Sequence, residues 1–456
     1  MFESPAYLKS PLWVQEGFLS LRAHARKLLR EGAAFRRELA DVTRTQWLDE
    51  KAMQALQLER VQGMVSHAIR HVPYYRDLIR EKGLAPDFIQ TLADVQQLPF
   101  LTKQIVFDQG PAMLSEIARG PRFSASTSGT TGMSMTAYRD LHAINRENAF
   151  VWRCMMWAGL QPGEPRVWLR GDKIVSPTAE QPPFWRYVKA DNMLMMSSYH
   201  LSEASASSYI DAMEKMDPVV IQGYPSAIFL LARWLLTAGR SYRGKRLRCV
   251  VTSSETVTSE HRDLVKRAFG CHIIDWYGAM ERMVAIGNCE HGTYHAMADY
   301  SYVEFMPLAD GTHEIVGTGF DNFLMPFIRY RIGDSVVLGD PAYRCPCGRA
   351  FPVVEQIIGR VEDYILTPSG RKVFMMSNML DSLPGVLEGQ IRQESLDAVR
   401  VLLVAARGCG PIKADEVIKR GQMMLGGDMK IVVEEVTEIP RTKNGKVRVV
   451  VRDIQP

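Results

Sequence analysis

With 456 residues, 55 Lys plus Arg and 51 Asp plus Glu, the chain carries a formal net charge of only +4. The length exceeds what one hydrophobic core usually serves, so at least two domains are expected, and the near balance of charge excludes a dominant electrostatic footprint for nucleic acid. Seven cysteines are too sparse, and odd in number, for a disulfide framework. The most apolar helix-like run, AIFLLARWLLTAG, holds Arg233 and is too short for a bilayer span, and no charged leader precedes an apolar segment, so a cytoplasmic protein without a transmembrane segment is expected.

The first hundred residues read as mostly helical. LRAHARKLLREGAAFRREL, Leu21 to Leu39, is expected to form one basic amphipathic helix whose polar face meets solvent, with a membrane surface or a partner protein as the alternative. LDEKAMQALQLERVQGMVSHAIRHV keeps helical spacing until VPYY supplies a stop. SASTSGTTGMSMTAYRD, Ser124 to Asp140, follows as a Ser/Thr/Gly loop; its hydroxyls and closely approachable backbone N–H groups suit a polyphosphate, although such a stretch standing alone is more often an ordinary flexible loop, and no Gly-Lys-Ser/Thr makes it a Walker loop.

Beyond it, VVIQGY, RCVVTSS and HIIDWYG are short β-rich runs separated by the helical patterns PSAIFLLARWLLTAG and TSEHRDLVKRAFG. That alternation predicts βαβ units and a largely parallel sheet, with SSET and YGAME placed at the carboxyl ends of strands, where ligands bind in such sheets. Tyr224 and Ser254 are thereby candidates for an acid-binding pocket, with ordinary core packing as the other reading of Tyr224. CEHGTYH and CPC offer Cys289, His295, Cys345 and Cys347, with His291 as a substitute, as ligands of a closed tetrahedral zinc; the alternative is three reduced cysteines that are neighbours in sequence alone. From about Ala398, VRVLLVAA, ADEVIKRGQMML and MKIVVEEV predict a small α+β unit.

TSGTTG at Thr127 to Gly132, YGAME at Tyr277 to Glu281, FIRYRIGD at Phe327 to Asp334, GRVED at Gly359 to Asp363 and PRTKNGKVR at Pro440 to Arg448 stand in the order and spacing of the AMP-forming adenylating enzymes. The chain resembles that superfamily along nearly its whole length. It is most similar to the phenylacetate–CoA ligase branch and its CapK-like members, through HVPYYRDL, LPFLTK, SSYHLS, GYPSAIFLLA and YHAMADYSYVEF. Some relatives share the cysteine pattern.

The resemblance implies an α/β fold: a large mixed N-terminal adenylation domain (1–358) with parallel-sheet units, and a small mobile α+β C-terminal domain (359–456) hinged near Asp363. It implies ATP-dependent conversion of a small-molecule carboxylic acid to an acyl-adenylate, then transfer to coenzyme A. Thr127, Ser128, Gly129, Thr130, Thr131 and Gly132 would hold the phosphates, with Thr130 counted among the catalytic residues. Glu281 would help hold Mg²⁺, and Lys446 would stabilise charge in the transition state. Asp334 and Arg360 would meet the ribose, Tyr277 and Gly278 the adenine, and Ser254 and Glu255 would complete the nucleotide and acid site. Two departures stand out: MSMT follows the loop where many relatives have Pro and Lys, and Met280 replaces a Ser or Thr before the glutamate. Transfer to an amine or a sugar hydroxyl is the alternative activity, and a degenerate nucleotide-binding scaffold is a third reading, opposed by the intact Thr130, Glu281, Asp334 and Lys446. A homodimer is left open.

Overall fold

The computed structural model describes residues 4–454 apart from 128–134, 177–178, 203, 255–256, 258, 309–310, 359–364, 374–375, 381–382, 384–385, 406–411, 438 and 440–449. The chain opens with a short helix α1 (Pro5–Leu8), α2 (Leu12–Arg30) and α3 (Ala33–Thr45). The single helix expected across Leu21 to Leu39 is therefore two. Glu31 and Gly32 separate them, and Gly32 takes an extended conformation (φ −72°, ψ −165°) as the N-cap of α3, a position where glycine's backbone freedom is cheaper than inside a helix. α4 (Glu50–His71) starts at Asp49, whose carboxylate accepts from the Ala52 N–H. The VPYY stop is also a start: Val72 is extended, as a residue before proline prefers, and Pro73 occupies the first turn of α5 (Pro73–Lys82).

After α6 (Lys103–Gln109), β1 (Phe123–Thr127) and β2 (Met135–Arg139) form an antiparallel ribbon whose connection is the Ser/Thr/Gly loop. α7 (Leu141–Trp157) begins at Asp140, whose side chain caps the Ala143 N–H. Arg153 of α7 and Asp299 are both buried and joined by two hydrogen bonds of 2.6 and 3.0 Å, with Thr45 and the Val42 carbonyl completing the cluster. A buried charge pair is tolerable when it is closely hydrogen-bonded, as this one is apart from Arg153 Nε, which is buried without a hydrogen bond, and it ties α3 and α7 to the body.

The strands that follow are β3 (Arg166–Arg170), β4 (Trp185–Val188), β5 (Met193–Ser197), β6 (Val220–Gly223), β7 (Cys249–Ser253) and β8 (His272–Gly278), with α8 (Ala206–Met216), α9 (Pro225–Thr237) and α10 (Ser259–Phe269) among them. They continue into β9 (Ala285–Asn288), β10 (Tyr294–Ala296), β11 (Ser301–Pro307), β12 (His313–Gly319), β13 (Tyr330–Leu338) and β14 (Val353–Ile358). All belong to one twelve-stranded sheet of order β11-β12-β13-β14-β10-β9-β8-β7-β6-β3-β5-β4. The core lies where the sequence pattern puts it: Ile228, Leu231, Ala232 and Leu235 on α9 recur at helical spacing and are fully buried against Val250, Ile221 and their neighbours. Each such side chain contributes roughly 1.5–3 kcal/mol of transfer free energy.

The expectation of a largely parallel sheet is corrected. Within this twelve-stranded sheet parallel pairing is confined to β5, β3, β6, β7 and β8; its other pairs are antiparallel. Beyond Gly278 the strands are joined by turns and loops instead of crossover helices, and without such crossovers neighbouring strands pair antiparallel.

A separate C-terminal α/β unit contains β15 (Ile365–Leu366), β16 (Lys372–Val373), β17 (Val386–Gln393), β18 (Ala398–Ala405), α11 (Ala414–Leu425), β19 (Lys430–Glu435) and β20 (Val450–Arg452), with the four-stranded sheet order β19-β18-β17-β20. It has its own apolar cluster, including Val401, Leu403, Val417 and Met379.

Candidate active site and a cysteine–histidine cluster

The parallel strands present their carboxyl ends together. Between β3 and β6 the winding reverses: successive strands step from β3 to β5 on one side, then from β6 to β8 on the other. Such a switch point leaves a crevice, and Arg170, the last residue of β3, and Tyr224, just after β6, stand beside it. The Arg170 guanidinium donates to Ser253 Oγ at the end of β7 and lies 4.9 Å and 5.2 Å from the Trp168 and Tyr224 ring centroids. Trp168 Nε1 in turn donates to Asp172 at 2.5 Å. Ser254 turns sharply away with φ +76° and keeps its hydroxyl 3.3 Å from that of Ser253. Across the crevice, a Cβ at Gly171 would come within 3.3 Å of the Tyr199 hydroxyl and 3.6 Å of the Tyr224 hydroxyl. Beneath, burial raises the Asp275 carboxyl above its ordinary range while Thr252 and Tyr294 donate to it at 2.7 and 2.9 Å.

The motif residues converge from distant strands. Tyr277, near the end of β8, donates its hydroxyl to Asp334 Oδ2 at 2.7 Å. Tyr330 of β13 donates to Glu281 Oε1 at 3.0 Å. Four strand steps separate β8 from β13, which in a flat sheet means about 19 Å at ~4.8 Å per step; the Tyr277–Asp334 bond therefore requires this half of the sheet to curl on itself. Irregularities in the pairing of β13 with both β12 and β14 supply local bends.

The turn carrying Glu281 is held on both sides. Arg139 of β2 donates to the Met280 carbonyl, and Arg282, left-handed at φ +61°, donates to the Ala143 carbonyl at 2.9 Å and lies 3.7 Å from Glu147. Burial lowers the Arg139 pKa to about 10, so it remains a cation at neutral pH. Chemically, half-buried Glu281 offers hard carboxylate oxygens suited to Mg²⁺, and Asp334 offers acceptors suited to a diol.

Of the residues expected from sequence, Tyr277, Gly278, Glu281, Asp334, Ser254 and Tyr224 thus lie at the strand ends or on the curled sheet beside them. Thr127 ends β1, opposite Met135. Ser128, Gly129, Thr130, Thr131, Gly132, Glu255, Arg360, Asp363 and Lys446 lie outside the described residues. Tyr277, expected to stack near an adenine, has its hydroxyl committed to Asp334. Sequence reasoning missed Arg170 and Tyr330. The rule that pointed to SSET and YGAME would have found Arg170, since RVWLR is also a short β-rich run ending on a polar residue. Tyr330 carried no such signal, because its partner depends on the curl of the sheet.

On the antiparallel side, Cys289 follows β9, His295 lies in β10, and Cys345 and Cys347 lie between β13 and β14. Their ligand atoms all lie within 4.8 Å of one another. Cys289 Sγ is 3.6 Å from Cys345 Sγ, and Cys347 Sγ is 3.4 Å from His295 Nε2. An ideal tetrahedron with metal–sulfur bonds of ~2.3 Å and metal–nitrogen bonds of ~2.05 Å has edges of about 3.8 and 3.5 Å; the two short contacts match these edges, and the donor set is one that suits zinc. His295 Nδ1 faces the Phe351 carbonyl at 3.4 Å; a carbonyl can only accept, so the proton sits on Nδ1 and the Nε2 lone pair points to the cluster. Burial pushes the Cys289 thiol up to about 12 and raises Cys347. Burial also raises Cys345, but hydrogen bonds from Thr293 and the Cys347 backbone outweigh it and leave that thiol below its ordinary value. His291 is exposed and outside the group, so the substitute ligand is not needed.

A mixed sheet with a parallel half and a separate C-terminal α/β unit make up an architecture shared with solved CoA ligases. Among solved structures, 2-hydroxyisobutyryl-CoA ligase in complex with 2-HIB-AMP and CoA matches with a TM-score of 0.55 at 21% identity, over 90% of this chain and 92% of that one. Residues 365–453 match the family described as the CapK C-terminal domain. The Protein CapK of Staphylococcus aureus is 26% identical over 88% of this chain and 89% of its own length. Phenylacetate-coenzyme A ligase of Thermus thermophilus is 25% identical over 88% of this chain and 96% of its own. The chain is thus similar, along most of its length, to CapK and to phenylacetate-coenzyme A ligases, and in fold to 2-hydroxyisobutyryl-CoA ligase.

Proposed function

We propose that the protein is an acid–thiol ligase that activates a carboxylic acid with ATP and passes the acyl group to coenzyme A. A carboxylate oxygen attacks the α-phosphorus, the bond to pyrophosphate breaks, and an acyl-adenylate results. The thiol sulfur then attacks the acyl carbon, its proton passes to solvent, and AMP leaves. The observation that carries this reading is the convergence of Glu281 and Asp334, each hydrogen-bonded by a tyrosine, beside the carboxyl ends of the parallel strands. Adenylation needs both a hard carboxylate for Mg²⁺, which neutralises phosphate charge, and an acceptor for the ribose.

In this reading Thr127 to Gly132 cradle the phosphates, with Thr130 catalytic, Glu281 contributes to Mg²⁺ binding, and Lys446 stabilises the charge that builds as the acid attacks. Asp334 receives the ribose hydroxyls with Arg360 beside it, while Tyr277 and Gly278 flank the base. Ser254 and Glu255 line the junction of nucleotide and acid. The acid occupies the crevice at the switch point, where Arg170 favours a substrate with a further hydroxyl or carboxylate acceptor. The division at 358/359 and the hinge near Asp363 belong to the same reading, as does a structural zinc held by Cys289, His295, Cys345 and Cys347. Four protein ligands leave the metal no open position for substrate.

The test is acid-dependent ATP–pyrophosphate exchange over a panel of neutral, hydroxylated and dicarboxylic acids, followed by AMP release on adding coenzyme A. Exchange with at least one acid and thioester formation are expected; no stimulation by any acid would count against adenylation. The likeness to CapK sustains one other reading, in which the acyl group passes to an amine or a hydroxyl. AMP release with such an acceptor, and none with coenzyme A, would select it. Asp334→Asn is expected to raise the KM for ATP about tenfold with a smaller change in kcat, because it weakens charge-assisted hydrogen bonds made in ground and transition state alike; steady-state kinetics at varied ATP measure it.

A further inference from the structure

α2 is packed along β4, the last strand of the large sheet. Its inner face completes that edge: Glu16 Oε1 accepts from the Tyr187 N–H at 2.8 Å and Ser20 Oγ from the Lys189 N–H at 2.9 Å, which covers backbone donors that an edge strand otherwise exposes. Arg186 Nε donates to Gln15 at 2.6 Å, Leu19 and Ala23 are buried, and Arg26 and Lys27 both pair with Asp191 at 2.5 and 3.3 Å. The helix is therefore fixed in orientation, and its outer face is equally fixed.

That outer face is largely apolar, with exposed His24 among its apolar residues. Trp13, Gly17, Leu21 and Leu28 succeed one another at spacings of four, four and seven residues, one side of a helix, with Phe18 and Ala25 beside them. Trp13 is 75% exposed, Leu21 and Leu28 are each 70% exposed, and Phe18 is 37% exposed. The stripe from Trp13 to Leu28 is about 22 Å long at ~1.5 Å per residue. Aromatic and leucine side chains held in water along that length are an interaction site by the usual standard for exposed apolar patches.

The charges around it choose the partner. Residues 4–30 contain five Lys or Arg and a single carboxylate, and that carboxylate, Glu16, is the one turned inward to β4. Lys9 and Arg22 are exposed, whereas Arg26 and Lys27 are engaged by Asp191. We propose that the outer face of α2 binds an anionic membrane surface, lying flat with Trp13, Leu21 and Leu28 at the level of the acyl boundary and the cations among the headgroups. This is the arrangement that gives an interfacial helix its affinity: buried apolar area plus attraction to anionic lipid. A second copy of the chain is a poorer occupant, because a two-fold contact brings the same cations face to face. No helix among the described residues is long and apolar enough to cross a membrane, so the contact is peripheral.

The experiment is co-sedimentation of the full chain with vesicles of phosphatidylcholine, with and without phosphatidylglycerol, at low and high salt. The wild type is expected to pellet with the anionic vesicles, to do so less at high salt, and to remain in solution with phosphatidylcholine alone. Leu21→Glu with Leu28→Glu is expected to lower the partition coefficient at least about tenfold while the melting temperature stays near wild type. Trp13→Ala provides a second, milder variant that adds no charge and should weaken binding in the same direction. Equal binding to both vesicle types, or none to the anionic ones, overturns the proposal, as does a folded double variant that pellets like wild type. A wild-type dimer in light scattering that the Glu substitutions dissociate would assign the face to a second copy and also overturn it.

Discussion

Lys446→Ala is expected to lower acid-dependent ATP–pyrophosphate exchange by ~10²-fold or more, with the KM for ATP changed little. The reason is when the charge is needed. ATP in its ground state is held by contacts along the whole nucleotide, so one lysine adds modestly to its binding. In the proposed reaction negative charge accumulates on the reacting oxygens as the carboxylate closes on the α-phosphorus, and a cation in the role proposed for Lys446 would act chiefly on that transition state. Uniform binding would appear as a raised KM; transition-state binding appears as a lowered kcat with kcat/KM following it. The same variant separates the two half-reactions. Supplied with preformed acyl-adenylate, it should still transfer the acyl group to coenzyme A at near wild-type rate, since that step makes and breaks bonds at the acyl carbon and not at the α-phosphorus. An exchange rate close to wild type in a folded variant would remove Lys446 from the chemistry. Loss of both half-reactions with a lowered melting temperature would mark it as structural.

What was legible in the sequence followed from local pattern. VVIQGY, RCVVTSS and HIIDWYG alternate with two amphipathic helical stretches, and each became a strand of the parallel half. SSET and YGAME were placed at strand ends by the same logic. The strands MLMMS and RVWLR were not foreseen: methionine is not a strong strand former, and RVWLR has arginine at both ends. The antiparallel half was illegible for a different reason. β10 is three residues long, and its position is set by its two neighbours instead of by its own composition. The site shares that dependence. Glu281 and Asp334 could be named from motifs, but Tyr330 meets Glu281 only because a sheet that begins open closes toward β13, a tertiary property that no window of residues encodes. The basic helix illustrates the converse. Its charge was legible, but the break at Gly32 and the outward turn of Trp13, Leu21 and Leu28 emerged only once α2 had docked on β4, because a pattern apolar on two sides does not say which side faces the core.

Purified protein is expected to contain about one zinc per chain, and removing it is expected to cost more stability than any substitution on the open crevice. Cys289 Sγ and Cys345 Sγ at 3.6 Å are too far apart for a disulfide, whose sulfurs stand at ~2.05 Å, yet that contact and the 3.4 Å contact of Cys347 Sγ with His295 Nε2 are close to the edges of a tetrahedral metal site, and all four ligand atoms lie within 4.8 Å. Burial that raises two of the thiols opposes their ionisation without a metal, whereas zinc binds the thiolates and displaces their protons, so metal binding becomes folding free energy. The cluster also joins β10 to the segment between β13 and β14, the strands whose curl carries Asp334 toward Tyr277. Cys347→Ser should therefore lower the melting temperature by at least about 5 °C, the scale of a few kcal/mol in a large domain, and abolish stoichiometric metal. Cys271→Ala, a buried cysteine away from the cluster, should leave the zinc content unchanged. Chelation of the wild type should reproduce the Cys347→Ser melting curve, and readded zinc should reverse it in the wild type alone. Activity should track the folded fraction at each point, because no coordination position is open to substrate. Metal analysis well below one zinc per chain in chelator-free preparations, together with unchanged melting of Cys347→Ser, would show the four residues to be a packed thiol cluster and leave the curl of the sheet to its apolar core alone.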